Sequence, residues 1–161
     1  MKHLKASIII LLAIAILSIP LPVLAANKIV YNNLNLSGED FSGQQLIEAE
    51  FGKTKLNEAD FSNSDMRGAV ISSSSAYNAN FHGVDFSFGI TYLVDLNGSD
   101  LTDANFSQTI MKRTKFKDVD ITGADFTEAI LDGPEVKRLC TTASGVNSVT
   151  GVATRESLEC P

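Results

Sequence analysis

Little in this chain is equipped for chemistry. It holds two cysteines and two histidines among 161 residues. Cys140 and Cys160 have no histidine near them in sequence. Two thiols alone make a poor metal site, so no metal is expected. There is no Gly-rich phosphate loop, and no nucleophile stands in a recognisable pattern with a base. No catalytic residue and no cofactor are therefore expected. Positive charge is also in the minority: 13 Lys and Arg stand against 19 Asp and Glu, a net charge of −6. Such a surface has no general attraction for nucleic acid or an anionic membrane, and neither is expected as a partner. A comfortably membrane-spanning apolar run is missing too. The longest, Ala6 to Ile19, is short for a bilayer and is broken by Pro20 and Pro22.

That run still has a meaning. Lys2 and Lys5 precede it, and Val23-Leu24-Ala25 follows with residues suited to cleavage after Ala25 or Ala26. Residues 1–25 thus read as a secretory signal peptide, with an uncleaved membrane anchor as the other reading. No twin arginine and no cysteine at the cleavage point indicate folded export or a lipid anchor. Removal of Lys2 and Lys5 would leave eleven basic and nineteen acidic residues.

What fills the rest is a repeat. From Leu36 to Leu131 a central residue recurs every five positions without insertion, and among these twenty centres only Ala76 and Thr91 are not large and apolar. Eight of the nine phenylalanines fall on a centre, and Phe88 is the exception. Two residues before each centre the side chain is usually small, as at Ala49, Ala59, Ala79, Ala104 and Ala124. One residue before it, Asp or Asn dominates, as at Asp60, Asn80, Asn105 and Asp125. A period of five fits neither a helix nor a strand. It suits a chain that turns a corner every few residues, with the centre and the small residue inside.

On these residues, in copies such as AEFGK, ADFSN, ANFHG and ADFTE, the chain resembles the pentapeptide-repeat proteins. The resemblance implies an all-β solenoid, a right-handed quadrilateral β-helix with four repeats to a coil. Twenty repeats make about five coils, roughly 24 Å of rod at the β spacing. Residues 34–133 form the solenoid. Residues 26–33 are expected to seal its first coil, with Ile29, Val30 and Tyr31 over the open end. Residues 134–161 are expected to form a short helical C-terminal cap.

Residues twenty apart then stack. Two columns, Phe41/Phe61/Phe81 and Phe86/Phe106/Phe126, should place ring over ring. Outside, one face stands apart: where two others carry mostly Asp or Asn, it carries Glu50, Val70, Ile90, Ile110 and Ile130, with Phe88, Tyr92 and Leu93 close by. A continuous apolar strip on a surface is usually covered. Three readings follow: the chain's own tail lies over it, it binds a partner or a second copy, or it has no role. Ser72 to Ser75, ahead of Ala76, is the weakest repeat and reads as simple tolerance within a long stack.

After Gly133 the period ends. Asp132-Gly133-Pro134-Glu135 signals a helix start with Asp132 as possible N-cap, and Thr154 to Glu159 suits a second short helix. In an exported chain Cys140 and Cys160 pair most naturally as a disulfide. The tail also resembles the ending of exported cyanobacterial members of the family, which implies the thylakoid lumen or periplasm. His82 and the basic cluster Lys112, Arg113, Lys115 and Lys117 read as solvated surface. The function expected is that of a non-catalytic exported structural module that binds protein. The alternative implied by the family is an acidic DNA mimic acting on an enzyme such as gyrase, which a signal peptide would keep from its target.

Overall fold

A computed structural model describes residues 28–161. The expected signal peptide lies outside the described residues. The chain winds into a right-handed quadrilateral β-helix of about five coils. One face holds a six-stranded parallel sheet of β1 (Val30–Asn32), β2 (Glu50–Gly52), β3 (Val70–Ser72), β4 (Ile90–Tyr92), β5 (Ile110–Lys112) and β6 (Ile130–Leu131). Register advances by twenty residues at every step, Val70 to Ile90 and Ile90 to Ile110. The other three faces carry single bridges, such as Asp40–Asp60–Asn80–Asp100–Asp120.

The five-residue period has a backbone cause. Two residues after each centre the chain is in the left-handed region, at every fifth position from Asn33 to Glu128, with φ between 51° and 74°. On three faces the turn is closed by the N–H three residues after the centre donating back to the centre, as from Ala49 to Leu46 (3.0 Å) and Ala124 to Ile121 (2.9 Å). The Asp or Asn before the centre accepts from the N–H two residues on: Asp60 from Ser62 (2.8 Å), Asp100 from Thr102 (2.9 Å) and Asp125 from Thr127 (2.8 Å). The recurring carboxylates are thus parts of the turns.

Centres and small residues fill the interior. Phe41, Phe61 and Phe81 stack with centroids 5.0 Å apart at each step and interplanar angles of 7° and 10°. The second column departs from the expected stack. Phe106 and Phe126 are stacked at 5.4 Å, but Phe86 lies 55° out of the plane of Phe106. Its ring occupies the space that a Cβ on Gly89 would take. The weak repeat also has an interior role. Buried Ser74 donates to the carbonyls of Phe51 (3.2 Å) and Ser72 (2.8 Å) and accepts the N–H of Thr54 (3.0 Å). Thr91, a polar centre, is buried with its hydroxyl 2.8 Å from that of Thr114.

Both ends are dressed. At the first coil Tyr31 stacks on Phe51 (4.9 Å), and Ile29 also packs against the core. Val30 does not cover the end as expected; it points outward at the head of the sheet face, because it neighbours Tyr31 on a strand and takes the opposite side. At the other end lie α1 (Gly133–Leu139) and α2 (Thr154–Ser157). Their segment supplies what a sixth coil would have supplied. Glu135 accepts the N–H of Phe116 (3.2 Å), the Ser144 carbonyl that of Gly123 (2.9 Å), and the Ser157 hydroxyl that of Phe126 (3.0 Å). Asp132 precedes α1 but its side chain does not cap it. The carboxylate turns back to the N–H of Arg113 (2.7 Å) and the ammonium of Lys112 (3.3 Å). Cys140 and Cys160 form a disulfide with Cα atoms 5.6 Å apart.

Candidate functional site

The sheet face is where this surface differs from a plain repeat. On a strand alternate residues point outward. Met111 and Ile71 are therefore buried, while Ile90, Ile110 and Ile130 stand in one outward row, with Val70 half-buried in the same row. The row continues through Glu50 to Val30. No Asx turn is possible here, because these positions carry no Asp or Asn. The extended backbone bonds along the sheet and leaves the outward side chain free.

Tyr92 lies on the same face, and Phe88 and Leu93 sit at its two corners. Both corner residues are in the left-handed region, φ 61° for Phe88 and 56° for Leu93. That conformation suits Gly or Asn and disfavours a bulky side chain. Phe88 is also 64% exposed, the most open of the phenylalanines. Two large apolar residues thus occupy left-handed corners that are open to water. Arg113 lies over the Tyr92 ring at 5.7 Å, at one border of the patch.

The tail does not lie over this strip. It folds against a different corner of the rod, where the amide of buried Asn147 donates to the carbonyls of Asp103 (3.0 Å), Ala104 (3.3 Å) and Gly123 (2.9 Å). All seven residues singled out from the sequence, Val70, Phe88, Ile90, Tyr92, Leu93, Ile110 and Ile130, are therefore brought together on one face. Val30 is an eighth that sequence reasoning missed. Its signal was present, since it lies twenty residues before Glu50 and so belongs to the same column.

The rest of the surface offers less. His82 shares a 2.7 Å hydrogen bond with the Thr102 hydroxyl on the open surface of the rod. The basic cluster is dispersed among neighbours, with Lys115 on Asp95 (3.1 Å) and Lys112 on Asp132 (3.3 Å). Among the described residues no cluster of three or more His, Cys, Asp or Glu could hold a metal. Within the middle coils a void of about 10 Å³ lies between Phe81, Phe86 and Thr91, too small for a ligand. No helix among the described residues is long and apolar enough to cross a membrane. The Arg67 guanidinium donates to Asp65 and holds that carboxyl below its ordinary range. This is a surface pair on another face.

Comparison with known proteins agrees with the winding. The family described as Pentapeptide repeats matches residues 32–63, 55–87 and 94–133, in eight copies. No curated protein sequence matches. Among solved structures, a pentapeptide repeat protein of the Arabidopsis thaliana thylakoid lumen is similar at 36% identity over 79% of this chain and 88% of its own, with a TM-score of 0.52. The pentapeptide repeat protein Rfr23 of the cyanobacterium Cyanothece 51142 shares the fold at 14% identity over 65% of this chain and 86% of its own, with a TM-score of 0.62.

Proposed function

The chain belongs to the pentapeptide-repeat family, and from that premise we propose that it is an exported, non-catalytic module that binds protein through the apolar face of its sheet. The observation that carries this is the uncovered row of Ile90, Ile110 and Ile130 flanked by Phe88, Tyr92 and Leu93. Contiguous apolar surface of this kind marks an interaction site more often than ornament. The acidic faces give no comparable support for a nucleic-acid mimic, because many of their carboxylates are engaged by their own turns. Export is supported by the apolar segment ahead of Ala25 and by likeness to a thylakoid-lumen protein, and the compartment proposed is the thylakoid lumen or periplasm.

The test is crosslinking in the native cells followed by mass spectrometry, with wild type beside Ile90→Glu/Ile110→Glu. Both side chains point to solvent, so the variant should fold. A protein crosslinked to the wild type and lost from the variant is the expected result. Identical crosslinks from both would sink the reading. The amino terminus of the recovered protein reads export in the same sample: a start at Ala26 or Asn27 is expected, and Met1 would contradict it.

A further inference from the structure

The patch is not symmetric about its own middle, and its asymmetry points to a partner. The face runs between two rows of corner residues. One row holds Glu48, Gly68, Phe88, Gln108 and Glu128; the other holds Asn33, Lys53, Ser73, Leu93 and Arg113. Members of each row lie twenty apart and are held in step by backbone bonds, each N–H donating to the carbonyl just before the next member, as from Gly68 to Ser87 and from Ser73 to Tyr92, both 2.9 Å. Each coil thus offers one member of each row at the same height. Read across, the four middle pairs are Glu48 with Lys53, small Gly68 with small Ser73, Phe88 with Leu93, and Gln108 with Arg113; at the ends Asn33 stands level with Lys28, and Glu128 with Gly133. Acid meets base, small meets small, ring meets aliphatic, and amide meets guanidinium.

From this complementarity we propose that the occupant of the face is a second copy of the chain, packed face to face with its rod in the same direction, about a two-fold axis along the rod. This rests on the reading of the face as a protein-binding surface and names the partner. Such an axis keeps every coil level with the same coil of the partner and exchanges the two corner rows. Glu48 of one copy then meets Lys53 of the other, twice in the dimer. Phe88 is covered by the partner's Leu93 and Tyr92, which accounts for two bulky residues held in left-handed, wet corners. The isoleucine rows lie side by side near the axis. The opposite arrangement, with rods antiparallel about Ile90, keeps each row against itself and sets Glu48 against Glu128. Glu50 sits near the axis beyond the apolar rows, where its ion pair with Lys28 (2.6 Å) offsets its charge. One face of about five coils is small beside a standard interface, so the dimer should be of roughly micromolar strength and salt-sensitive.

Sedimentation equilibrium on the protein recovered from cells expressing the full chain tests this, from about 1 to 500 μM. Wild type should dimerise. Ile90→Glu/Ile110→Glu should weaken the dimer by about 100-fold or more. Glu48→Lys alone should weaken it by roughly tenfold, by setting lysine against lysine in two places. Glu48→Lys with Lys53→Glu should restore it to within about threefold, because the pairs are exchanged and not lost. These corner residues are exposed, and an unchanged melting temperature certifies folding. A wild type monomeric throughout overturns the second copy, while the cellular crosslinks then judge the face itself. A dimer that survives Ile90→Glu/Ile110→Glu lies elsewhere and overturns the proposal. A dimer that the charge exchange fails to restore overturns the same-direction arrangement.

Discussion

Ser64 sits at one of the small inward positions, and its hydroxyl is buried without any hydrogen-bond partner. Its counterparts find one: Thr54 reaches the Tyr31 carbonyl at 2.8 Å, and Ser99 the Ala76 carbonyl at 2.7 Å. A buried hydroxyl left unpaired is a net cost, while alanine is the commonest residue at this position. Ser64→Ala should therefore stabilise the fold by about 1 kcal/mol. Chemical denaturation reads it directly, and a loss of stability would show that the hydroxyl has a partner in solution. The contrast also marks what a sequence can say at this scale. That position 64 must be small followed from the period; whether its oxygen is satisfied depends on the carbonyls nearby. The tilt of Phe86 is similar. Gly89 obeys the small-residue rule as well as alanine would, so nothing in the pattern announced that an aromatic ring would use the missing Cβ.

Within one element, the phenylalanine column is continuous from Phe41 to Phe81, and Phe61 and Phe81 are fully enclosed. Each ring has a neighbour above and below or against the next centre, so removal leaves a hole that a stack of covalently spaced coils cannot close. Phe81→Ala should cost about 3–5 kcal/mol, measured by denaturant unfolding. A loss below about 1 kcal/mol would mean that the coils collapse around the gap. Inward columns of this kind were legible because identical side chains recur at a fixed step, and the step survives in the strand register. The cap was legible only in outline. Its helices begin near the expected residues, but its docking depends on Asn147 and Glu135, two single side chains with no period to betray them. Asp132 shows the same limit. Its place before Pro134 suggests a helix cap, whereas a backbone N–H of the preceding coil, Arg113, competes for the carboxylate and wins. The position of the tail, away from the apolar face, was for that reason beyond sequence reasoning.

The whole molecule joins this cap to the rod partly through carboxylates, and pH should reveal the join. The Arg113 N–H, with Lys112 beside it, holds Asp132 below the usual carboxylate range. The Arg67 guanidinium does the same to Asp65, and the Ser42 hydroxyl and N–H to Asp40. A carboxylate whose folded pKa is depressed favours folding above its unfolded value, near 3.9, and that contribution disappears as pH falls through the folded value. At the alkaline end the Asp95 carboxylate raises both Tyr77 and Lys115. Groups raised on folding contribute below their unfolded values, about 10, and lose that contribution above them. The melting temperature should thus be flat from about pH 5 to 9 and fall on both sides. Asp132→Asn separates the cap from the rod: it should melt lower than wild type at neutral pH, and the two should converge as pH drops to about 2. A constant difference between them across the acid range would mean that the Asp132 side chain acts by shape and not by charge, and the electrostatic account of the cap would fail.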